Sequence, residues 1–372
     1  MHISIFQEGR VMSFDRLSTT LIELIGIPST SGHEEHIRQY LEQHLSTLGL
    51  STQIDDAGNL IATLTGKSTD EQTLLLNAHM DRVPPGLGHQ PIVRDGVLYS
   101  DGTTNLGADD AAGIVIILEV VRRIVEQKLP HPPLLVVFTV QEEAGMCGAG
   151  GFNSSRWPAQ HGIVFDNAFD AGAVVSRGAV YKAFDVTITG RTGHPGKDLS
   201  QTVNALEIFR QAQYPFGSLA SNQTRINIGR ISGGSARNAI PANLTLEGEL
   251  RSFESPERIQ QYERDLQRGF EQAAQRLGGR VTISFKTHTD GYVINEHEPL
   301  LQTYRAVLEQ RGEKLRLQPT FIGSDTSGFR PNIKAFTLST GVMNEHSTEE
   351  YVALAPLEQI VRDMLQVSRN VL

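Results

Sequence analysis

Cysteine is almost missing from this chain of 372 residues, where Cys147 stands alone. One thiol can close no internal disulfide and build no cysteine-ligated zinc site, which suits a reducing compartment. A positive excess is missing too. Acidic residues number 42 against 33 basic, a net charge of -9, so a phosphate-binding surface is not the main business of the chain and nucleic acid is not an expected partner. No apolar run approaches the length of a bilayer span, so no membrane partner is expected either. Residues 1–11 (MHISIFQEGRV) have neither the basic start nor the long apolar centre of a secretory signal, which makes the cytoplasm the expected compartment. Met12 opens a cleaner amphipathic segment, so those first residues read as an extension or an upstream start. Internal repeats and low-complexity tracts are absent. Two glycine clusters fail as nucleotide loops: Gly66-Lys67-Ser68 lacks the glycine five residues earlier, and Gly145, Gly148, Gly150 and Gly151 follow carboxylates, not a strand with the required spacing.

What is present is a globular composition on a chain longer than one core usually supports, so two domains are expected. Its organising stretch is Leu74–Val83, LLLNAHMDRV. A short, continuous apolar run bounded by polar residues suits a strand buried on both faces of a parallel sheet. His79 sits where that strand ends, with Asp81 two residues on. The crevice beyond the carboxyl ends of such strands is where ligands bind, and an imidazole beside a carboxylate there reads as a metal ligand with its orienting partner.

The arrangement recurs. Leu134–Val140 is a second buried strand and runs into Gln141-Glu142-Glu143; Gly162–Phe165 delivers Asp166; Ala335–Leu338 leads through a glycine-containing loop to His346. Between them GADDAAGIVIILEVVRRI places Asp109 and Asp110 at the start of an almost uniformly apolar, hence buried, helix, whose N-terminus favours a carboxylate. Capping by either aspartate explains one of them equally well. Cys147, just after the glutamates, reads as a small buried filler.

Other segments supply the frame. Helices are expected over Asp15–Ile25 and His33–Leu48, and strands over Ser51–Ile54 and Leu60–Leu64. From Tyr181 to His288 the order changes to strand, helix, two strands, helix, strand, the α+β order of a small inserted domain. The expected fold is α/β: a mixed, largely parallel sheet flanked by helices over 1–180 and 289–372, interrupted by a smaller α+β lid over 181–288.

His79, Asp109, Glu143, Asp166 and His346 can therefore converge at one sheet edge. Two imidazoles and three carboxylates are too many for one tetrahedral site. They suit two ions, each with one terminal histidine and one terminal carboxylate, sharing an aspartate. Glu142 is then free to act as general base. Mixed nitrogen and oxygen ligands suit Zn²⁺, with Co²⁺ or Mn²⁺ as substitutes.

Taken together, His79-x-Asp81, Gly107-Ala108-Asp109-Asp110, Glu142-Glu143, Asp166 and His346 resemble the motifs of the aminoacylase/carboxypeptidase family of two-metal peptidases, nearest its peptidase T-like, tripeptidase-like branch. The likeness covers nearly the whole chain and extends to Gly193-His194-Pro195-Gly196, to Asn238-Ala239-Ile240-Pro241 followed by Arg251, and to the Gly323-Ser324-Asp325 turn. The resemblance implies one ion on His79 and Asp166, a second on Glu143 and His346, Asp109 bridging, Asp81 orienting His79 and Glu142 as base. It also implies a cis peptide bond between Asp109 and Asp110, His194 stabilising the oxyanion, Asn238 and Arg251 contacting substrate, and a homodimer formed through the lid. One departure is Ala111, where many relatives have lysine after the aspartate pair. The activity expected is cleavage of short peptides. An amidohydrolase of N-acyl or N-carbamoyl amino acids, or a catalytically silent metal-binding protein, are the other readings.

Overall fold

The computed structural model describes residues 6–7, 10–11, 16–66, 72–166, 169–197 and 199–370. Met12 and most of the 1–11 stretch, on which an expectation was placed, lie outside the described residues, as do Lys67 and Ser68. Two compact units divide the chain: Met1–Arg177 with Val293–Leu372, and Gly178–Tyr292.

The first unit is built on a nine-stranded sheet. Its centre is four parallel strands in the order Lys334–Ser339, His161–Asp166, Leu74–His79, Leu134–Thr139. Antiparallel strands extend it on both sides, Val174–Gly178 beyond the first and Leu60–Leu64 then Ser51–Ile54 beyond the last. Every residue of Leu74–His79, Leu134–Thr139 and His161–Asp166 is buried. The cause is cover on both faces. Leu75, Leu135, Val137, Val164 and Ala335 pack with Ala149 and Phe329 on one side. Helix Ala108–Gln127 packs on the Leu74–His79 and His161–Asp166 strands and is itself overlaid by Arg16–Ile25 and Leu354–Asn370. That sandwiching is why its sequence is apolar nearly all round. A second, four-stranded sheet, Val342–Met343, Tyr351–Ala353, Val97–Tyr99 and Ile92–Arg94, was not expected from the sequence. Its strands are two or three residues long, too short to leave a period-2 signature.

In the second unit, five antiparallel strands run in the order Gly217–Leu219, Thr224–Gly233, Asn243–Ser252, Val180–Thr189, Arg280–Thr289. The short Gly217–Leu219 strand is additional to the expected order. Phe184, Val186, Ile188 and Leu246 on one sheet face pack with Ile208 of helix Ala205–Gln211 and with Leu266 and Phe270 of helix Pro256–Leu277. The alternate residues, among them Asp185, Thr187, Thr245 and Glu247, are exposed, as an antiparallel sheet covered on one face requires.

Cys147 corrects an expectation: it is exposed, not buried. In the short helix Cys147–Gly150 the inward-facing residues are Gly148 and Ala149, and the thiol falls on the outer side.

Candidate metal centre

All four parallel strands end at the same sheet edge, and three of them carry the chemistry directly. His79 and Asp166 are the last residues of their strands, while Glu142 and Glu143 follow Thr139 by one short turn. Asp109 comes from the loop entering the buried helix, and His346 from the loop between Val342–Met343 and Tyr351–Ala353.

These side chains meet. Asp109 divides its two oxygens, Oδ1 lying 3.3 Å from His79 Nε2 and Oδ2 3.3 Å from His346 Nε2. His346 Nε2 is also 2.8 Å from Glu143 Oε1. Donor atoms of His79, Asp109 and Asp166 lie within 4.8 Å of one another, as do those of Asp109, Glu143 and His346. Each group could hold one ion, and Asp109 belongs to both. Glu142 stands beside them, grouped with His79 and Glu143.

Asp81 works from two ends. Its carbonyl, which can only accept, takes the Nδ1–H of His79 at 2.8 Å, leaving Nε2 to face Asp109. The carboxylate is farther from that ring, at 3.5 Å. It accepts instead from the backbone N–H of Glu142 at 2.8 Å, the N–H of Glu143 at 3.2 Å and the hydroxyl of Ser31 at 2.6 Å. One buried residue thus ties the histidine to the backbone of both glutamates.

The adjacent aspartates have different work, and their peptide bond is cis. Asp109 and Asp110 are both non-helical (ψ 105° and 38°), so the regular helix starts after them. Asp110 is the cap: Oδ1 accepts from Gly113 N–H at 2.9 Å and Oδ2 from His79 N–H at 3.2 Å. Asp109 is left to face the histidines.

Glu350 is only 1% exposed and accepts from four consecutive backbone N–H groups, those of Leu106, Gly107, Ala108 and Asp109, at 2.7 to 3.0 Å. It holds the loop that carries Asp109. Arg82, also buried, donates to the carbonyls of Leu24 and Ile25, and its guanidinium lies against Gly107, where an added Cβ would meet Nη1 at 2.9 Å. Gly107 also has φ 74°, so glycine is required there twice over. Below the edge, Thr139 donates its hydroxyl to the buried Asp325, which places the Gly323-Ser324-Asp325 turn against the parallel strands. Sequence reasoning missed Glu350, Arg82 and Thr139, and it left open which of the two aspartates is the cap. Glu350 reads as half of an ordinary surface acid pair with Glu349, and Arg82 as a loop cation. Non-glycine residues in left-handed backbone mark the same loops: Gln141 (φ 52°) and Met146 (φ 56°) bracket the glutamates, and Asn344 (φ 56°) accompanies His346 (φ 61°). Such residues cost roughly 1–2 kcal/mol each.

Titration follows the packing. His346 is pushed up to about 10 by its hydrogen bonds to Asp109 and Glu143. Burial opposes a charge on His79, but the bonds to Asp109 and Asp81 outweigh it and the imidazole titrates well above its ordinary value. Glu142 is pushed well up by burial, reinforced by neighbouring carboxylates. Burial also raises Asp325 to about 6 and Glu350 to about 7. A cluster of imidazoles and carboxylates this dense has the charge and donor set of a divalent cation site.

The remaining candidates lie in the second unit. His194 is exposed in its loop, accepting from Gly196 N–H at Nδ1. Asn238 is exposed in the loop after Thr224–Gly233. Arg251 lies over the ring of Tyr181, 4.2 Å from its centroid, and pairs with Glu249 at 3.0 Å; Tyr181 in turn stacks on His288.

Residues 75–370 match the peptidase family M20/M25/M40. The chain is 32% identical to a tripeptidase from Staphylococcus aureus subsp. aureus Mu50, with a TM-score of 0.90 over 96% of this chain and 98% of that one. To the aminopeptidase PepT from Bacillus cereus ATCC 10987 it is 28% identical, with a TM-score of 0.86 over the same shares. It is 30% identical to the uncharacterised protein YqjE of Bacillus subtilis strain 168, over 93% of this chain and 95% of that protein.

Proposed function

The chain belongs to peptidase family M20/M25/M40, and from that premise we propose that it is a two-metal aminopeptidase of short peptides, tripeptides foremost. The observation that carries the reading is the division of the Asp109 carboxylate between His79 and His346, with Glu142 buried beside them. His79, Asp166 and Asp109 would hold one divalent ion, and Asp109, Glu143 and His346 the other. The donor set fits: three carboxylates and two imidazoles already meet, in part through ion-pair contacts, and two divalent ions would displace the two imidazolium protons and outweigh the three carboxylate charges by one. Zn²⁺ suits the mixed ligands, with Co²⁺ or Mn²⁺ able to substitute. When bound, the ions supply Lewis acidity that polarises the scissile carbonyl and acidifies the attacking water.

Glu142 takes a proton from that water and returns it to the leaving nitrogen. Its burial makes it a stronger base than a surface glutamate. Asp81, through the Glu142 N–H, keeps the base in register with His79. His194 donates to the developing oxyanion, and the forked guanidinium of Arg251, with Asn238, binds the substrate carboxylate. These three roles, and a homodimer assembled through the second unit, are supported by the family resemblance of their motifs. The substrate is a short peptide in the cytoplasm. Among the described residues no helix is long and apolar enough to cross a membrane.

The test is a liberated-amine assay on zinc-loaded protein with a tripeptide panel and a panel of N-acyl and N-carbamoyl amino acids. Tripeptides are expected to be cleaved at their first bond. Turnover confined to the acylated amino acids would establish the amidohydrolase instead, and no turnover of either panel would leave a silent metal-binding protein.

A further inference from the structure

We propose that the first unit carries a second small-molecule site, separate from the metal centre, whose ligand is a zwitterion with a free ammonium and a free carboxylate, as in an amino acid or a dipeptide. The site is a cavity of about 510 Å³ walled by Asp170, Arg311, Glu313, Arg316, Met343 and Tyr351, with the first turn of helix Leu354–Asn370 at its edge. None of the imidazoles or carboxylates of the metal cluster lines it. Its volume is that of a small-molecule pocket.

The charges in the wall choose the ligand. Arg316 donates through Nη1 to Asp170 at 2.9 Å and through Nη2 to the Ala171 carbonyl at 2.5 Å. Arg311 reaches Glu313 at 2.6 Å and, from its other terminal nitrogen, the buried Asp363 at 3.1 Å. Arg316 is thus held by two hydrogen bonds, and Arg311 by one hydrogen bond to Glu313 and an ion-pair contact with Asp363; each keeps its Nε–H for a further acceptor. Asp170 and Glu313 each use one oxygen on an arginine and keep the other for a donor. Two fixed cations and two anions on one wall repel a polyanion and give an apolar ligand nothing to pair with. A zwitterion satisfies both signs at once, and its side chain finds Met343, Tyr351 and Ile360.

Position gives the site a consequence. Met343 and Tyr351 face each other in register across the hairpin, and the residues between them include both His346 and Glu350. A ligand packed against that pair braces the base of the loop that supplies one metal-site histidine and the anchor of the Asp109 loop. Occupancy does not depend on the proposed activity, although an amino acid is also what a peptidase releases.

Zinc-loaded full-length protein carrying Glu142→Gln, which slows turnover, is titrated calorimetrically with leucine, with alanyl-leucine, with N-acetyl-leucine and with leucinamide. Leucine or the dipeptide is expected to bind, and the two compounds with one charge blocked at least about tenfold more weakly. Arg316→Ala should weaken binding by about the same factor. Ala355→Trp, which fills the cavity from an exposed position, should abolish it without changing metal content. Hydrogen exchange over residues 344–350 should slow on binding and should not respond in Ala355→Trp. No binding at millimolar ligand, binding indifferent to the blocked charges, or equal binding by both variants would each overturn the site; unchanged exchange would overturn the bracing of the loop.

Discussion

Glu142 and Glu143 are adjacent in the chain and point to different tasks. Glu143 meets His346 at 2.8 Å, whereas Glu142 is almost wholly buried with its backbone tied to Asp81. Glu142→Gln keeps shape and removes the basic oxygen, so kcat should fall by ~10² to 10⁴ with metal content unchanged. Glu143→Gln should lose metal. Elemental analysis beside a rate assay checks both, and identical content and rate in the two variants would refute the division of roles. The histidines give a second prediction. With His346 raised to about 10 and His79 also raised, both are imidazolium in the metal-free protein at pH 7. A raised imidazole pKa stabilises the fold fully below its unfolded value of 6.5, and that contribution disappears as pH rises through about 10. Zn²⁺ needs the lone pairs those protons occupy, so loading both sites near pH 7 should release about two protons, and affinity should climb with pH. Calorimetry in buffers of different ionisation enthalpy measures the release; none at all would mean the histidines are not ligands.

At the scale of elements, the helix Ala108–Gln127 was legible from its apolar run, and the aspartates at its start were legible as important. Which aspartate capped and which faced outward was not, because both side chains can reach a first-turn N–H and only the backbone bend at Asp109 and Asp110 separates them. Gly113 makes that arrangement testable. A Cβ there would meet Asp110 Oδ1 at 2.5 Å and Oδ2 at 2.6 Å. Those oxygens cannot swing aside without losing the bonds from Gly113 and His79. Alanine in place of glycine gains about 1 kcal/mol of helix propensity, while disrupting two buried hydrogen bonds costs roughly 1–3 kcal/mol each. Loss should win: Gly113→Ala should be destabilised by about 2 kcal/mol or more. Urea unfolding of the metal-free protein reads this from the midpoint at constant slope. A stabilised variant would show that Asp110 moves freely.

For the whole molecule, the second unit poses the sharpest question, since His194, Asn238 and Arg251 all belong to it. On the proposed dimer, His194 serves the neighbouring subunit's site, so His194→Ala should lower kcat with metal retained. Dimers mixed from His194→Ala and Glu142→Gln chains should regain one working site in each heterodimer. Subunit exchange shown by mass spectrometry without recovered rate would place His194 in its own chain's site. The largely parallel sheet, with His79, Asp166 and the two glutamates at or just past its strand ends, could be read from the sequence alone, because a strand buried on both faces must be apolar throughout and must stop where a polar residue begins. Those are local signals. The order of the strands is not. Placing Leu74–His79 between His161–Asp166 and Leu134–Thr139 puts His79 between Asp166 on one side and the glutamates on the other. The strand Lys334–Ser339 lies beside that of Asp166, but His346, seven residues past its end, is carried instead to Glu143 by the small sheet that the sequence did not announce. Glu350 and Arg82 became visible only there too. Their importance lies in four N–H groups and two carbonyls far away in the chain, and a residue's type says nothing about which backbone groups the fold will leave for it to satisfy.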